Sequence, residues 1–259
     1  MTEKRKRPTN TSLGVGRILG VQIRLHWSFI GLVALVALMS ASKRAGSIAS
    51  GLAWIGVIFG SVLVHEVAHC IVARRLGAVV DDILLTPLGG LSRLREMPEA
   101  PNDELAVAIV GPLTSFGLAA AAAVLGVTLG VHLWPPTLFA GSWLARLAWL
   151  NVLLAGFNLL PALPMDGGRV LRAMLARHHD RRAATRMAAQ IARYLALLMI
   201  IAGFTIDFWL IFIGVFVYMG AGAEERTSSS GAEHMDDRPS IEEPPTQKTS
   251  SGPRSADRR

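Results

Sequence analysis

The sequence predicts an α-helical polytopic membrane protein with about six transmembrane helices and a short β-like, membrane-associated loop between the second and third. Three observations carry that prediction. Of the 259 residues, 51% are hydrophobic and only 17% charged, with a mean hydropathy of +0.42, whereas soluble domains carry about 25% charged residues. Six apolar stretches recur along the chain. Lysine and arginine gather in alternate connections between them, as cytoplasmic loops of membrane proteins do.

The chain starts with the basic "MTEKRKRPTN", and no short apolar core with a small-residue cleavage site follows. Residues 1–24 therefore read as a cytoplasmic basic segment and not a removed signal. The apolar stretches run from about Leu25 to Ser42, Gly51 to Ala73, Leu105 to Val131, Leu147 to Met165, Ile191 to Ile206 and Phe208 to Ala223. Together they define a six-span domain over 25–223. The last two are separated only by Asp207. One helix over both would hold about 30 residues at roughly 1.5 Å each and overshoot the hydrocarbon core, so a tight helical hairpin is expected. Between the second and third spans, "VVDDILLTPLGGLSRL" (Val79 to Leu94) is rich in β-branched and apolar residues and broken by Pro87, Gly89 and Gly90. It reads as short strands around a turn. From Glu224 large apolar residues almost vanish, and 224–259 reads as a disordered cytoplasmic tail.

Sidedness follows from the arginines and lysines. The first segment holds Lys4, Arg5, Lys6, Arg7 and Arg17; the second-to-third connection Arg74, Arg75, Arg93 and Arg95; the fourth-to-fifth Arg169, Arg172, Arg177, Arg181, Arg182 and Arg186. The opposite loops hold only Lys43 and Arg44. Both termini are thus expected in the cytoplasm, with Trp54, Trp134, Trp143 and Trp209 in a belt near the outer boundary. The formal net charge of +7 belongs to this topology, and no nucleic-acid partner is expected. The partner that this pattern implies is the lipid bilayer. The single cysteine, Cys70, excludes an intrachain disulfide framework and a multi-cysteine zinc ribbon.

Residues 45–64 carry no charge, and "HEVAH" follows at once. Ionisable groups in a span are costly and usually functional. His65 and His69 are i and i+4, share a helix face and can bind one Zn²⁺. Glu66 follows the first ligand, where it can hold the attacking water and take its proton. A catalytic zinc needs a third protein ligand and an open position. Asp166 ends the fourth span at the depth of the histidines, within "NLLPALPMDGGR" (Asn158 to Arg169), whose prolines and glycines cannot continue a regular helix. Non-helical backbone at membrane depth is tolerated only where it is buried in protein or lines a wet cavity. Asp81, Asp82 and Glu104 are weaker candidates. Asp207 lies at the outer end, too far away, and His178 and His179 look like solvated surface.

These residues resemble the site-2 protease family of intramembrane zinc metalloproteases, over roughly Gly14 to Gly220. "HEVAH" and "NLLPALPMDGG" carry the likeness, supported by "LLTPLGGLSRL" and by "GPLTS" (Gly111 to Ser115) in the third span. The connection between the second and third spans is too short for a PDZ domain, which is similar to the branch lacking one. The resemblance implies that His65, His69 and Asp166 hold one zinc ion, that Glu66 is the catalytic base, and that Asn158 binds substrate backbone or the oxyanion. It also implies regulated intramembrane proteolysis of a transmembrane protein substrate, in the cell membrane of a prokaryote. A helical substrate must unwind before cleavage, so Leu84 to Leu91 (Leu84, Leu85, Gly89, Gly90 and Leu91 above all) are expected to pair with its extended backbone. The alternative is a non-hydrolytic membrane metal-binding protein or transporter. A transporter should show further polar groups along several spans, whereas the outer halves of these spans are almost entirely apolar.

Overall fold

The computed structural model describes residues 12–18, 20–41, 46–86, 89–94, 100–138 and 140–236. The described residues open with two strands, β1 (Ser12–Ile18) and β2 (Val21–His26), followed by helices α1 (Trp27–Ala41) and α2 (Gly46–Arg75). Strands β3 (Val80–Thr86) and β4 (Gly89–Leu94) come next. Helices α3 (Pro101–Thr128), α4 (Trp143–Asn158), α5 (Asp166–Leu175), α6 (Arg181–Gly203) and α7 (Trp209–Asp236) complete the order. Among the described residues, three helices are long and apolar enough to cross a membrane: Ile48–Arg75, Pro101–Thr128 and Arg181–Gly203.

The four strands form one sheet in the order β1-β2-β3-β4. Only its second half lies where the sequence suggests strands; β1 and β2 fall mostly within residues 1–24, read as a cytoplasmic basic segment. The β1–β2 turn is tight, with Ile18 opposite Val21 and Gly20 at φ +82°, a conformation open to glycine. β2 then pairs in parallel with β3, Ile23 opposite Ile83 and Leu25 opposite Leu85. Parallel strands need a long crossover, and α1 and α2 supply it. The sheet packs on α2 through Val21, Ile23, Ile83 and Leu85 around Cys70, with Val62, Leu63 and Val67 alongside. The last turn of α2 carries Arg74 and Arg75, which complement the negative end of the helix dipole. Gly77 at φ +87° and the Ala78 N–H on the Ala73 carbonyl at 2.9 Å close the helix as a Schellman motif.

The last two apolar stretches are separate helices. Chain direction reverses after Gly203, and Asp207 Oδ1 accepts from Trp209 N at 2.8 Å, capping α7. Small residues let α6 and α7 approach closely: a Cβ on Gly214 would stand 2.7 Å from the Ala196 carbonyl oxygen, and one on Gly203 2.5 Å from Ile211 Cγ1. Ala192, Ala196 and Ala221 are fully buried nearby. Such small-residue contacts are the usual route to tight helix packing in lipid.

Several boundaries differ from the sequence reading. α6 starts at Arg181 because its basic first turns are alanine-rich and bury Ala184, Thr185, Ala188 and Ala189. The fourth apolar stretch divides into most of α4 and an irregular 159–165 segment, and the amphipathic α5 follows it. α7 continues to Asp236, so helix occupies the stretch after Ala223, steadied by an ion pair between Arg193 and Glu225; residues 237–259 lie outside the described residues. Trp54 is buried, not part of an exposed belt. The Arg146 guanidinium sits 3.9 Å from the centroid of its ring and 4.8 Å from that of Trp143. Trp134, Trp143 and Trp209 are exposed.

Candidate metal centre

His65 and His69 face the same way because a four-residue step on α2 returns almost to the same side of the helix. Helix α3 lies against that face. The His69 Nδ1–H donates to the Val107 carbonyl at 2.6 Å. That bond places the ring proton on Nδ1 and leaves Nε2 with a lone pair. His65 Nδ1 lies 3.0 Å from Ser115 Oγ, and a hydroxyl accepting there leaves the His65 Nε2 unprotonated as well. Val107, Gly111 and Ser115 are four residues apart and form one stripe of α3.

Asp166 arrives from the far end of the chain. It is the first residue of α5, and Gly167 and Gly168 make its position possible. A Cβ on Gly167 would lie 2.3 Å from the Leu159 carbonyl oxygen, and one on Gly168 2.4 Å from the Ala162 carbonyl carbon. Only glycine lets the irregular 159–163 backbone fold over the start of α5. The opposite end of α5 is anchored by Arg172, whose Nε donates to Glu104 Oε1 of α3 at 2.7 Å. Both groups are buried. Removing one partner of such a pair leaves a buried uncompensated charge.

The three polar ends converge. Asp166 Oδ2 is 3.1 Å from His65 Nε2 and 3.1 Å from His69 Nε2, and the two Nε2 atoms are 3.1 Å apart. All three residues are buried, at 2%, 4% and 7% exposure, and among the described residues they are the one group that could hold a metal ion. Tetrahedral zinc with bonds of about 2.0–2.2 Å to N and O spaces its ligands by roughly 3.3–3.5 Å. Three acceptors held this close, with the ring protons turned outward, repel one another unless a cation lies among them. The donor set therefore fits a metal with three protein ligands.

Gly111 keeps the space open. A Cβ there would lie 2.1 Å from His69 Nε2 and 2.7 Å from His65 Nε2, on the side of the rings from which they ligate. Gly111→Ala is expected to abolish or sharply weaken metal binding, with little effect on the α3 helix itself, where alanine is the better former. Metal analysis of the purified variant checks this; a full complement of metal would show that the helices shift to make room.

Other candidates lie elsewhere. Glu66 is half-buried beside His65 and is not one of the three convergent ligands. Asn158 ends α4, its amide donating to the Leu154 carbonyl at 2.9 Å. Glu104 is engaged by Arg172, and Asp82 faces Arg24 at 3.8 Å, so neither joins the site. His179 is exposed, with Nδ1 3.2 Å from the Leu175 carbonyl, and His178 is exposed too. Leu84 and Leu85 are not on a sheet edge. Leu84 faces Arg24 of β2 on one side and Leu91 of β4 on the other, so its backbone is already paired. The outer strands are β1 and β4, and β4 carries Gly89, Gly90 and Leu91.

The family model for peptidase family M50 matches residues 53–144 and 135–203. Zinc metalloprotease MJ0392 of Methanocaldococcus jannaschii is 36% identical over 220 residues, covering 84% of this chain and 61% of that protein. Stage IV sporulation protein FB of Bacillus subtilis is 27% identical over 158 residues, covering 59% of this chain and 52% of that protein. The chain thus spans about three fifths or less of the length of these relatives. Among solved structures, the site-2 protease from Methanocaldococcus jannaschii aligns with a TM-score of 0.61 and 33% identity, over 83% of this chain and 95% of that one.

Proposed function

The chain belongs to peptidase family M50, and from that premise we propose that it is an intramembrane zinc endopeptidase. It cuts a transmembrane helix of another membrane protein near that helix's cytoplasmic end, in regulated intramembrane proteolysis. The observation that carries the proposal is the buried triangle of His65 Nε2, His69 Nε2 and Asp166 Oδ2 at 3.1 Å, with a glutamate next to the first ligand. The sidedness proposed is that of the arginine distribution: six spans, with both termini in the cytoplasm and the ligand-bearing end of α2 close to the cytoplasmic face.

His65, His69 and Asp166 hold the ion. Zinc bound there supplies Lewis-acid polarisation of the scissile carbonyl and a lowered pKa for water. Val107 and Ser115 keep the imidazoles in their ligating tautomers. Glu66, about 100° further round α2 than His65, takes the proton from the attacking water and passes it to the leaving amide nitrogen. Asn158 offers an amide N–H to a substrate carbonyl. Coexpression with candidate single-span membrane proteins tests the proposal. Fragments should appear with the wild-type chain and not with an inactive variant, and a substrate cut equally by both would refute it.

The substrate strand is assigned to β4 and not to β3. β3 has neighbours on both sides, whereas β4 has one among the described residues. An edge strand offers unpaired backbone groups to an extended peptide, and Gly89 and Gly90 allow close approach. Photocrosslinkers placed singly from Gly89 to Leu94 should capture substrate at alternate positions, as the two-residue strand period requires. No capture in a system that still cleaves would remove β4 from substrate binding.

A further inference from the structure

Behind the metal ligands, on the reverse face of α2, a cavity of about 430 Å³ opens between that helix and the sheet. Val67 and Ile71 line it from α2, each about 200° round the helix from His65 and His69 respectively, and Val21 and Ile83 line it from the sheet. Arg74 and Arg75 stand at its rim, both exposed. Among the described residues, the cavity is thus apolar along its walls and carries two arginines at one end, of which Arg74 also has a contact within the chain. That end is the terminus of a helix long and apolar enough to cross a bilayer. The volume lies within the range of about 300–1,000 Å³ usual for small-ligand sites.

We propose that this cavity is a binding site for an anionic phospholipid. The phosphate lies against Arg75 beside Arg74, and the first acyl methylenes lie along the half-buried Val67 and Ile71, with the buried Val21 and Ile83 as the floor. The charge pattern selects the occupant. A neutral acyl chain or detergent tail uses the walls but not the arginines. A free phosphate uses the arginines but not the walls. Only an amphiphile with an anionic head satisfies both, and the cytoplasmic leaflet supplies one at this height. The inference rests on the proposed sidedness of α2 and is independent of whether the metal centre hydrolyses peptides.

The test uses the full chain in detergent, titrated with phosphatidylglycerol or phosphatidylcholine and read by native mass spectrometry. One phosphatidylglycerol should be retained in preference to phosphatidylcholine, and millimolar inorganic phosphate should not displace it. Arg75→Gln should weaken that preference about fivefold, the usual share of one basic residue at an anionic surface. Ile71→Trp keeps both arginines but fills the cavity, and should remove the retained lipid. Should that variant aggregate, Val67→Phe fills the same space from one turn earlier. Equal retention of the two lipids would overturn the proposal, as would unchanged retention in a monodisperse cavity-filled variant. Displacement by inorganic phosphate would replace it with a simple anion site.

Discussion

Glu66→Gln is expected to leave the metal in place and nearly abolish turnover. The substitution keeps the side chain's length and its capacity for a hydrogen bond, so α2 and the three convergent ligands are undisturbed. What it removes is the carboxylate that accepts the proton from water and returns it to the leaving nitrogen. A positioned acid–base group contributes about 10²–10⁴-fold, and here one residue serves both steps, so the loss should reach at least the upper end of that range. Substrate binding should persist, and uncleaved substrate should copurify with the variant. Equal cleavage by Glu66→Gln and wild type would exclude Glu66 as the base. Loss of metal would make it a support of the metal site. In a transporter or a metal-storage protein the same substitution should change little, because every ligand survives.

The second large effect is expected at Asp166. In Asp166→Ala two imidazole nitrogens remain 3.1 Å apart with no anion to complete the set. Catalytic zinc sites use three protein ligands, so metal content should fall from one ion per chain to near zero on dialysis, and cleavage should stop. Helix α5 should survive, since Gly167, Gly168 and the Arg172–Glu104 pair are untouched. A variant that retains both metal and activity would remove Asp166 from the site and return the third ligand to open question.

How much of this was legible in the sequence depended on the range over which each feature is determined. The pairing of the two histidines was legible because their relation is local: four residues on one helix fix the shared face. Asp166 was legible because the arginine pattern suggested that its stretch ends on the same side as the histidines and because "PMDGG" breaks a helix there. The α6–α7 hairpin followed from the length of a bilayer crossing. β1 and β2 were not legible. Their strands carry Gly14, Gly16, Arg17 and Arg24, and the partner that makes them a sheet, β3, lies across two helices. For the same reason Leu84 and Leu85 were expected to meet substrate: nothing local reveals that β2 already occupies that edge. Gly111 appears in sequence as one glycine in an apolar helix, and its function emerges only when the imidazoles of another helix lie where its Cβ would be. Amphipathic α5 and the basic first turns of α6 escaped because apolar length detects only what crosses lipid.

The central claim is that a metal held by His65, His69 and Asp166 makes this chain a peptidase acting within the membrane. The most direct measurement reconstitutes the purified full chain in liposomes with a single-span protein that it cleaves in cells. Metal is stripped with a chelator, zinc is restored, and the fragments are mapped by mass spectrometry. Cleavage should vanish on stripping and return with zinc. The new termini should fall inside the substrate's apolar span near its cytoplasmic end, and restored zinc should not rescue Glu66→Gln. Cleavage that continues in the stripped chain, or that maps only to segments outside the bilayer, would contradict the account.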